Sequence, residues 1–175
     1  MKAIVINNGT TSLVRDRATP KVRPGYLLVR TIAVALNPGD WRTAISSRAT
    51  ANSILGCDFS GIVVEVGSGE YSSRWKPEDR VFGCSLGGSV KDSEAGAFAE
   101  VLLVRADLCM RVPDSLSMEA ASTISLSLMT VGQGLFWKMD LRLPEQEFPK
   151  DKKEFLLIYG GSTSAGTLAT QLATL

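Results

Sequence analysis

A glycine-rich turn near the carboxyl end, YGGSTSAG over residues 159–166, is the stretch of this sequence best suited to chemistry. An apolar run precedes it and apolar residues at helical spacing follow it, so the pattern predicts a strand, a tight turn and a helix. Such a turn aims unpaired backbone N–H groups at whatever lies over it, usually phosphate. The motif is not GxGxxG, because Thr163 takes the place of the middle glycine, and not a Walker loop, because Thr167 stands where lysine belongs. On the motif alone, close packing of a strand on a helix stays open as an alternative to phosphate binding.

The composition excludes several kinds of catalytic and metal site. The 175 residues include no histidine, which removes Ser-His-Asp and Cys-His nucleophilic catalysis and the commonest metal ligand. The three cysteines, Cys57, Cys84 and Cys109, lack the paired spacing of a structural zinc site, and we interpret them as small, reduced core residues. A net charge of +1, from 19 basic and 18 acidic residues, indicates neither nucleic acid nor an anionic membrane as a partner.

The sequence also bears on location. No apolar run approaches the roughly 20 residues of a membrane-spanning helix. The amino terminus, MKAIVINNGT, lacks the long apolar region of a signal peptide. These features predict an intracellular, cytoplasmic protein.

Short β-type segments fill the first two thirds of the chain. β-branched or alternating runs predict strands near residues 2–6, 12–17, 26–36, 62–66 and 97–104, with a further turn and strand within 75–83. Three glycines in the middle of this region suggest a strand bent to follow a small barrel: Gly56, Gly61 and Gly67. Asp40 follows an Asn-Pro pair and is interpreted as a helix cap. We expect about seven short strands with little helix.

From Ala120 the apolar period becomes helical. Ile124, Leu128, Val131 and Leu135 predict one face of a helix that runs to about Trp137, and residues 138–154 are a charged, solvated connection. The predicted fold is a mainly β, barrel-like domain over 1–120, a connecting helix and linker over 121–153, and the first strand–helix unit of an α/β domain over 154–175. Because a dinucleotide-binding fold needs several more such units, we expect this α/β domain to be incomplete.

At this point the chain resembles a known family along essentially its whole length. The matching segments are LNPGDW, GCDFSGIVVEVGSG, RWKPEDRVFG, GAFAEVLLV, AASTISLSLMTVGQGLF and YGGSTSAGTLATQLA. In this order and spacing they resemble the medium-chain dehydrogenase/reductases, and within them the fungal trans-acting enoyl reductases that serve polyketide synthases.

The resemblance implies a GroES-like, β-rich substrate domain followed by a Rossmann domain. It also implies NADP(H) as cofactor, with hydride transfer from NADPH to the β-carbon of an enoyl thioester. The implied partner is a polyketide synthase or its acyl-carrier-bound intermediate. In such an enzyme the nicotinamide supplies the chemistry while the protein orients the substrate, so the lack of histidine is no obstacle.

The resemblance also assigns site residues by position. The segment implied to touch the cofactor from the substrate domain is Gly39, Asp40, Trp41 and Arg42. The implied pyrophosphate turn is Ser162, Thr163, Ser164 and Ala165. The implied substrate segment is Thr130, Val131, Gly132, Gln133, Gly134, Leu135, Phe136 and Trp137. Thr130 resembles a substrate-contacting threonine, and a hydroxyl bonded to its own helix backbone stays open as the alternative.

The chain departs from its relatives at three points. Zinc alcohol dehydrogenases of the same superfamily carry a ligand cysteine and a GHE motif where this chain reads NPGD and GCD, and the four-cysteine lobe is missing, so we predict no zinc. Arg42 stands where lysine is common, and residues 84–88 (CSLGG) lack an expected histidine. We therefore keep two alternatives to the enoyl reductase: a non-catalytic GroES-like remnant with a binding or scaffold role, and a quinone-reductase-like oxidoreductase.

Overall fold

The computed structural model describes residues 1–7, 9–46, 49–145 and 155–174. The chain divides into two compact units, Met1–Ser125 and Leu126–Leu175, here called the first and second units. The strands are β1 (Ala3–Asn7), β2 (Thr10–Val14), β3 (Tyr26–Ala35), β4 (Asp58–Val66), β5 (Arg80–Cys84), β6 (Val101–Arg105) and β7 (Cys109–Arg111). The α-helices are α1 (Pro38–Ile45), α2 (Met118–Ala121), α3 (Ser125–Gly132) and α4 (Ser164–Leu172), with 3₁₀ turns at Ser72–Arg74 and Ala106–Leu108 and a π-helix at Gln133–Lys138.

The first unit is built on antiparallel sheets, as the sequence predicts. β1 and β2 form a two-stranded hairpin, and five strands form a second sheet in the order β6-β3-β4-β5-β7. β3 and β4 pair along almost their full length, from Leu27 opposite Val66 to Ala35 opposite Asp58. β3 lies between β6 and β4, and β4 lies between β3 and β5, so these two strands form the centre of the sheet. The prediction of a mainly β domain is confirmed.

β4 bends where the glycines predict a bend. The register between β3 and β4 shifts twice, between Leu28 and Val29 and between Thr31 and Ala33. A Cβ on Gly61 would lie 2.5 Å from the carbonyl oxygen of Arg30, so only glycine allows the two strands to approach this closely. The irregularity also breaks simple alternation in β4.

The sequence pattern in β4 groups Val64 with Ile62 and Val66, opposite Val63 and Glu65. In the structure Val63 is fully buried and Val64 is 46% exposed. A bulged strand does not keep the period of two that the pattern assumes. The bulge therefore changes which residues of β4 face the core.

The main core of the first unit contains residues from five strands, from α1 and from the loops between them. Phe59, Val63 and Leu102 are completely buried in it. The Trp75 ring lies at its margin, and its Nε1 donates to the carbonyl oxygen of Ala106 at 3.2 Å. The core thereby holds the turn before β5 against the segment that follows β6.

Several elements differ from the sequence prediction, among them the strand predicted over 12–17, which spans Thr10–Val14 as β2. The strand predicted over 97–104 is shorter, β6, because residues before Val101 pair only through one bridge between Ala3 and Ala99. The three-residue β7 was not predicted, since so short a run carries no readable period. The helix predicted from Ala120 to about Trp137 is interrupted at residues 122–124 and ends as a π-helix.

The second unit has a small apolar centre of its own. Val131 and Leu135 pack with Ala169 of α4, and Leu156 and Ile158 lie against this cluster. Of the apolar face predicted for the 124–135 helix, the last two residues, Val131 and Leu135, are therefore buried. Residues 146–154 of the predicted charged connection lie outside the described residues.

The predicted strand over 155–159 shows the burial pattern of a strand. Phe155, Leu157 and Tyr159 are almost wholly exposed, at 94%, 94% and 102%, and alternate with the two packed residues. Within the described parts of the chain, however, residues 155–158 belong to no sheet. A strand exists only through ladder hydrogen bonds to a neighbour, which explains the difference.

An ion pair between the buried Asp79 and the exposed Arg111 joins the turn before β5 to β7, and we expect it to make stability depend on pH. Asp79 is 7% exposed, and its Oδ2 accepts from Arg111 Nη1 and from the Lys76 backbone N–H, both at 2.9 Å. Burial raises the pKa of this carboxyl, but the Arg111 and Lys76 contacts outweigh it and hold the pKa below its usual value. A carboxyl with a lowered pKa stabilises the fold above its ordinary pKa of about 3.9, and this contribution is lost as pH falls through the folded value.

We therefore expect Asp79→Asn to lower the free energy of unfolding by about 1–3 kcal/mol at neutral pH, because a charge-assisted contact is lost. The difference from the unmodified protein should shrink below about pH 4. Urea unfolding at several pH values measures it. Asp114→Asn is the matched control, since Asp114 is fully exposed and 3.7 Å from Arg80, and it should change stability by less than about 0.5 kcal/mol. A pH-independent effect of Asp79→Asn would contradict the assignment.

Candidate functional site

The predicted cofactor segment of the first unit lies on α1. Asn37 precedes the helix, and its backbone N–H donates to Oδ2 of Asp40 at 2.7 Å, so the interpretation of Asp40 as part of a helix cap is confirmed. The Asn37 side chain donates to Oδ2 of Asp58 at 2.9 Å. This bond ties the start of α1 to the start of β4.

Trp41 and Arg42 are the exposed members of this segment. Trp41 is 56% exposed, and the Arg42 guanidinium lies 5.6 Å from the centroid of its ring. Gly39 and Arg42 line a cavity of about 430 Å³ together with Thr43, Ser46 and Gly88. Gly88 has a φ of +71°, and a Cβ there would lie 2.4 Å from Thr43 Cγ2, so the loop after β5 needs glycine to form this wall. The arrangement leaves a cation at the edge of an open cavity.

Beneath α1, four polar residues lie close together, a grouping that was not predicted from the sequence: Asp40, Cys57, Asp58 and Cys84. Asp40 is 4% exposed, and its Oδ1 is buried without a hydrogen-bond partner among the described residues. Burial raises the pKa of this carboxyl, with the Asn37 amide and Cys57 opposing the rise. Asp58 and Cys84 are buried beside Cys57, because Asp58 pairs with Cys84 across β4 and β5. The sequence signal for this group was the GCD motif, interpreted only as a lost metal site.

Metal binding finds no support in this group. Nowhere in the described ranges do three or more His, Cys, Asp or Glu side chains come together so that they could hold an ion. The absence of zinc stays a prediction. None of the helices in the described part of the chain combines the length and apolar character needed to cross a bilayer.

The predicted substrate segment is the end of α3 and most of the π-helix. Val131 and Leu135 are buried in the core of the second unit, whereas Thr130, Gln133 and Trp137 are exposed. The Thr130 hydroxyl donates to the carbonyl oxygen of Leu126 at 2.8 Å, which is the local backbone bond considered as the alternative. Its oxygen keeps the capacity to accept a further hydrogen bond.

The π-helix widens the backbone within this segment. The Met139 N–H donates to the Gly134 carbonyl at 3.0 Å, five residues back. Single π-turns of this kind are frequent at functional sites. Neither Gly132 nor Gly134 has any atom within 4 Å of a Cβ placed on it, so this stretch borders open space.

The glycine turn of the second unit forms the start of α4. The Thr163 hydroxyl donates to the Gly160 carbonyl at 2.8 Å and accepts from the Gly166 N–H at 3.0 Å, so Thr163 is the helix N-cap. A Cβ on Gly166 would lie 2.2 Å from the Gly160 carbonyl oxygen, whereas one on Gly161 would meet nothing within 4 Å. Gly166 therefore serves close packing inside the turn, and Gly161 borders open space. Both interpretations of the motif have a structural basis.

One contact links the turn to the helix that carries the substrate segment. Ser127 Oγ donates to Ser164 Oγ at 2.8 Å, and Ser127 is buried. Ser127 was not predicted as a site residue, because a serine in an apolar helix carries no signal of its partner. It is the additional residue that positions the predicted pyrophosphate turn.

The turn fits a pyrophosphate group. Ser162, Thr163 and Ser164 are exposed. The first amides of a helix have no intrahelical acceptor, and of the first turn of α4 only the Gly166 N–H is used by the cap. The Ser164 and Ala165 amides are the candidate donors to phosphate, and α4 directs its positive end toward them.

The chain is similar in sequence to known proteins. Residues 23–114 match the family model described as the alcohol dehydrogenase GroES-like domain. The chain is 45% identical over 163 residues to the trans-enoyl reductase TOXD of Cochliobolus carbonum, covering 93% of this chain and 54% of the relative. It is 41% identical over 185 residues to the trans-enoyl reductase resD of Aspergillus sclerotiorum, and this match covers 100% of this chain and 51% of the relative. The chain thus spans about half the length of these curated relatives.

A solved structure agrees with the sequence matches. An alcohol dehydrogenase superfamily protein from Novosphingobium aromaticivorans superposes with a TM-score of 0.79 at 29% identity, covering 99% of this chain and 50% of that one. The similarity extends over both units, each of which is therefore found in the same class of protein.

Proposed function

The chain belongs to the alcohol dehydrogenase GroES-like family of the medium-chain dehydrogenase/reductases, and from this premise we propose that it serves the NADPH-dependent reduction of enoyl thioesters carried by a polyketide synthase. The observation that carries the proposal is the turn at the start of α4. Its exposed side chains, and the Ser164 and Ala165 amides, which have no acceptor among the described residues, suit a pyrophosphate group, and the relatives of the chain are named trans-enoyl reductases.

NADPH, when bound, would supply the hydride, and the residues of this chain would bind and orient. Ser162, Thr163, Ser164 and Ala165 are proposed to hold the pyrophosphate, with Thr163 acting chiefly through the cap that keeps the turn in shape. The hydrogen bond from Ser127 fixes the side chain of Ser164. The buried position of Gly166 keeps α4 close enough for its amides to reach the ligand.

The α1 segment is proposed to contact the cofactor from the first unit. Arg42 is exposed at the edge of the 430 Å³ cavity, and a guanidinium binds phosphate or a polar ring substituent by paired donors. The buried cap made by Asp40 orients α1, since Oδ2 of Asp40 holds the Asn37 amide. Asp40 thus positions the segment without itself being exposed.

We propose that the exposed residues of the 130–137 segment bind the substrate. Thr130, Gln133 and Trp137 present a hydroxyl, an amide and a large apolar ring, a combination suited to a thioester with an acyl chain. The buried Val131 and Leu135 support these residues from the core. The partner is proposed to be a polyketide synthase or the acyl-carrier domain that presents its intermediate, because the relatives are named trans-enoyl reductases and the family that the sequence resembles acts on such intermediates.

The test is a titration of NADPH into the 175-residue chain and into a fusion of this chain with the carboxyl-terminal half of a trans-enoyl reductase relative. Nucleotide fluorescence reports binding, and absorbance reports turnover of an enoyl thioester, with a quinone as the alternative acceptor. We expect the fusion to bind NADPH and to reduce the thioester in preference to the quinone. Arg42→Ala should weaken NADPH binding about tenfold, which corresponds to about 1.4 kcal/mol for one charge-assisted contact.

Arg30→Ala is the matched control, because Arg30 is an exposed arginine on β3 of the first unit, and it should leave the affinity unchanged. Absence of NADPH binding by both proteins would contradict the reductase and favour the non-catalytic remnant. Turnover of the quinone alone would favour the quinone-reductase-like alternative.

A further inference from the structure

Residues 155–159 (FLLIY) form an apolar segment with one packed face and one bare face. Leu156 and Ile158 lie against the small core of the second unit. Phe155, Leu157 and Tyr159, which alternate with them, are 94%, 94% and 102% exposed. Large apolar side chains that lie together in solvent, unlike single exposed ones, mark a surface that contacts another molecule.

The backbone of this segment also lacks a neighbouring strand. Its N–H and C=O groups form no backbone–backbone hydrogen bond with any described residue, and the segment belongs to no sheet in the described ranges. Natural proteins protect an exposed strand edge with proline, with charged side chains or with a bulge. Residues 155–175 include neither a proline nor a charged side chain. The segment therefore offers an unprotected edge to a second strand.

The order of the side chains makes the segment complementary to a second copy of itself. When two copies run antiparallel about a two-fold axis at Leu157, Phe155 of each copy lies opposite Tyr159 of the other, and the two Leu157 side chains face each other. On the packed face Leu156 lies opposite Ile158 in the same way. Aromatic and aliphatic pairs across neighbouring strands stabilise a sheet. A patch that is complementary to itself is what a closed two-fold dimer requires.

Charge and area both permit this pairing. Because residues 155–175 include no charged side chain, no like charges face each other across the axis. The exposed rings of Phe155 and Tyr159 offer roughly 150–250 Å² each, so two copies contribute about 600–1,000 Å² from the rings, and Leu157 and the paired backbone add to this. Specific but weak complexes begin at about 1,000 Å². The area therefore suits a dimer that forms at micromolar rather than nanomolar concentrations.

We propose that two copies of this chain associate by antiparallel pairing of residues 155–159. The pairing gives the backbone of the segment the ladder partner that it lacks within one chain. It also places each exposed aromatic ring beside an aromatic ring of the other copy. This association is separate from the proposed reductase function and does not depend on it.

Sedimentation equilibrium of the 175-residue chain across micromolar concentrations tests the association. We expect the mass to rise with concentration from 18.8 kDa to twice that value. Leu157→Lys should keep the chain monomeric at every concentration, because two like charges would then face each other at the axis. The Leu157 side chain is 94% exposed, so its replacement removes little packing within the monomer.

Leu36→Lys is the matched control, since Leu36 is an 84% exposed leucine of the first unit, and it should leave the dimer unchanged. A monomer at all concentrations would overturn the proposal and leave the segment to a different partner. Loss of the dimer in Leu36→Lys, or species larger than two chains, would overturn it as well.

Cross-linking tests the register of the two segments. Residues directly opposite each other in an antiparallel pair have Cα atoms about 4.5–5.5 Å apart, which is within the range for a disulfide. Leu157→Cys should therefore form an interchain disulfide on mild oxidation, seen as a dimer on a non-reducing gel. In Phe155→Cys the two new thiols would lie four positions apart along the strands, about 13 Å, and should not join. The unmodified chain, which has three cysteines, sets the background. Equal cross-linking of the two variants would contradict the proposed register.

Discussion

Phe59→Ala is expected to lower the free energy of unfolding of the first unit by about 3–5 kcal/mol, the usual cost of removing a fully buried aromatic ring. Phe59 has no exposed surface and lies in β4, which pairs with β3 and β5. A Cβ on Gly83 would approach the Phe59 ring to 3.1 Å, so the ring fills the space over that glycine. Neighbouring strands hold the site in shape, and the cavity left by alanine cannot collapse.

Urea unfolding followed by tryptophan fluorescence measures this effect, because Trp75 belongs to the same core. Phe155→Ala is the matched control, since the Phe155 side chain is 94% exposed, and it should change stability by less than about 0.5 kcal/mol. A loss below about 1 kcal/mol for Phe59→Ala would show that this core is not packed as described.

Gly166→Ala is expected to disrupt the turn at the start of α4 and to abolish NADPH binding by the fusion protein. The new Cβ would lie 2.2 Å from the Gly160 carbonyl oxygen, which is a backbone atom and moves only if the turn opens. Overpacking costs about 1–3 kcal/mol. Loss of the Thr163 cap adds about 0.5–2 kcal/mol. Together these two losses of stability are expected to open the turn at the start of α4.

Hydrogen exchange of residues 163–172, followed by mass spectrometry, measures the local effect, and the NADPH titration measures its consequence. Gly161→Ala is the matched control for stability, because a Cβ at this position meets no atom within 4 Å. It should leave exchange in α4 unchanged. Equal protection of α4 in the Gly166→Ala variant would contradict the close packing of the turn.

The predictable parts of the fold are those that depend on local pattern. β-branched runs identified β1, β3 and β6, and the Asn-Pro-Gly-Asp sequence identified the start of α1. The glycine turn was identified with its helix, because a Ser/Thr-rich glycine segment before an apolar helical period has few other solutions. β7 was missed, because it forms only by pairing with β5, about 30 residues earlier in the chain. The break of the 120–137 helix at residues 122–124 was missed as well.

The candidate site was predictable to the same degree. The sequence placed Asp40 in a helix cap and Thr163 in the pyrophosphate turn, and the geometry gives both of them the local hydrogen bonds of a cap. It could not reveal that Ser127 holds Ser164, since the two residues are 37 positions apart. It also treated the three cysteines alike, whereas Cys84 is buried and Cys57 and Cys109 are partly exposed, because burial depends on neighbours in space.

The sequence by itself determined the family, the mainly β first unit and the glycine turn that begins α4, because these depend on the order and local spacing of residues. Only the tertiary structure decided which valine of β4 is buried, since the bulges against β3 shift the period of the strand. It alone decided that Gly166 packs against Gly160 while Gly161 stays open. It also brought Asp58 opposite Cys84, because the pairing of β4 with β5 joins residues that the chain keeps apart.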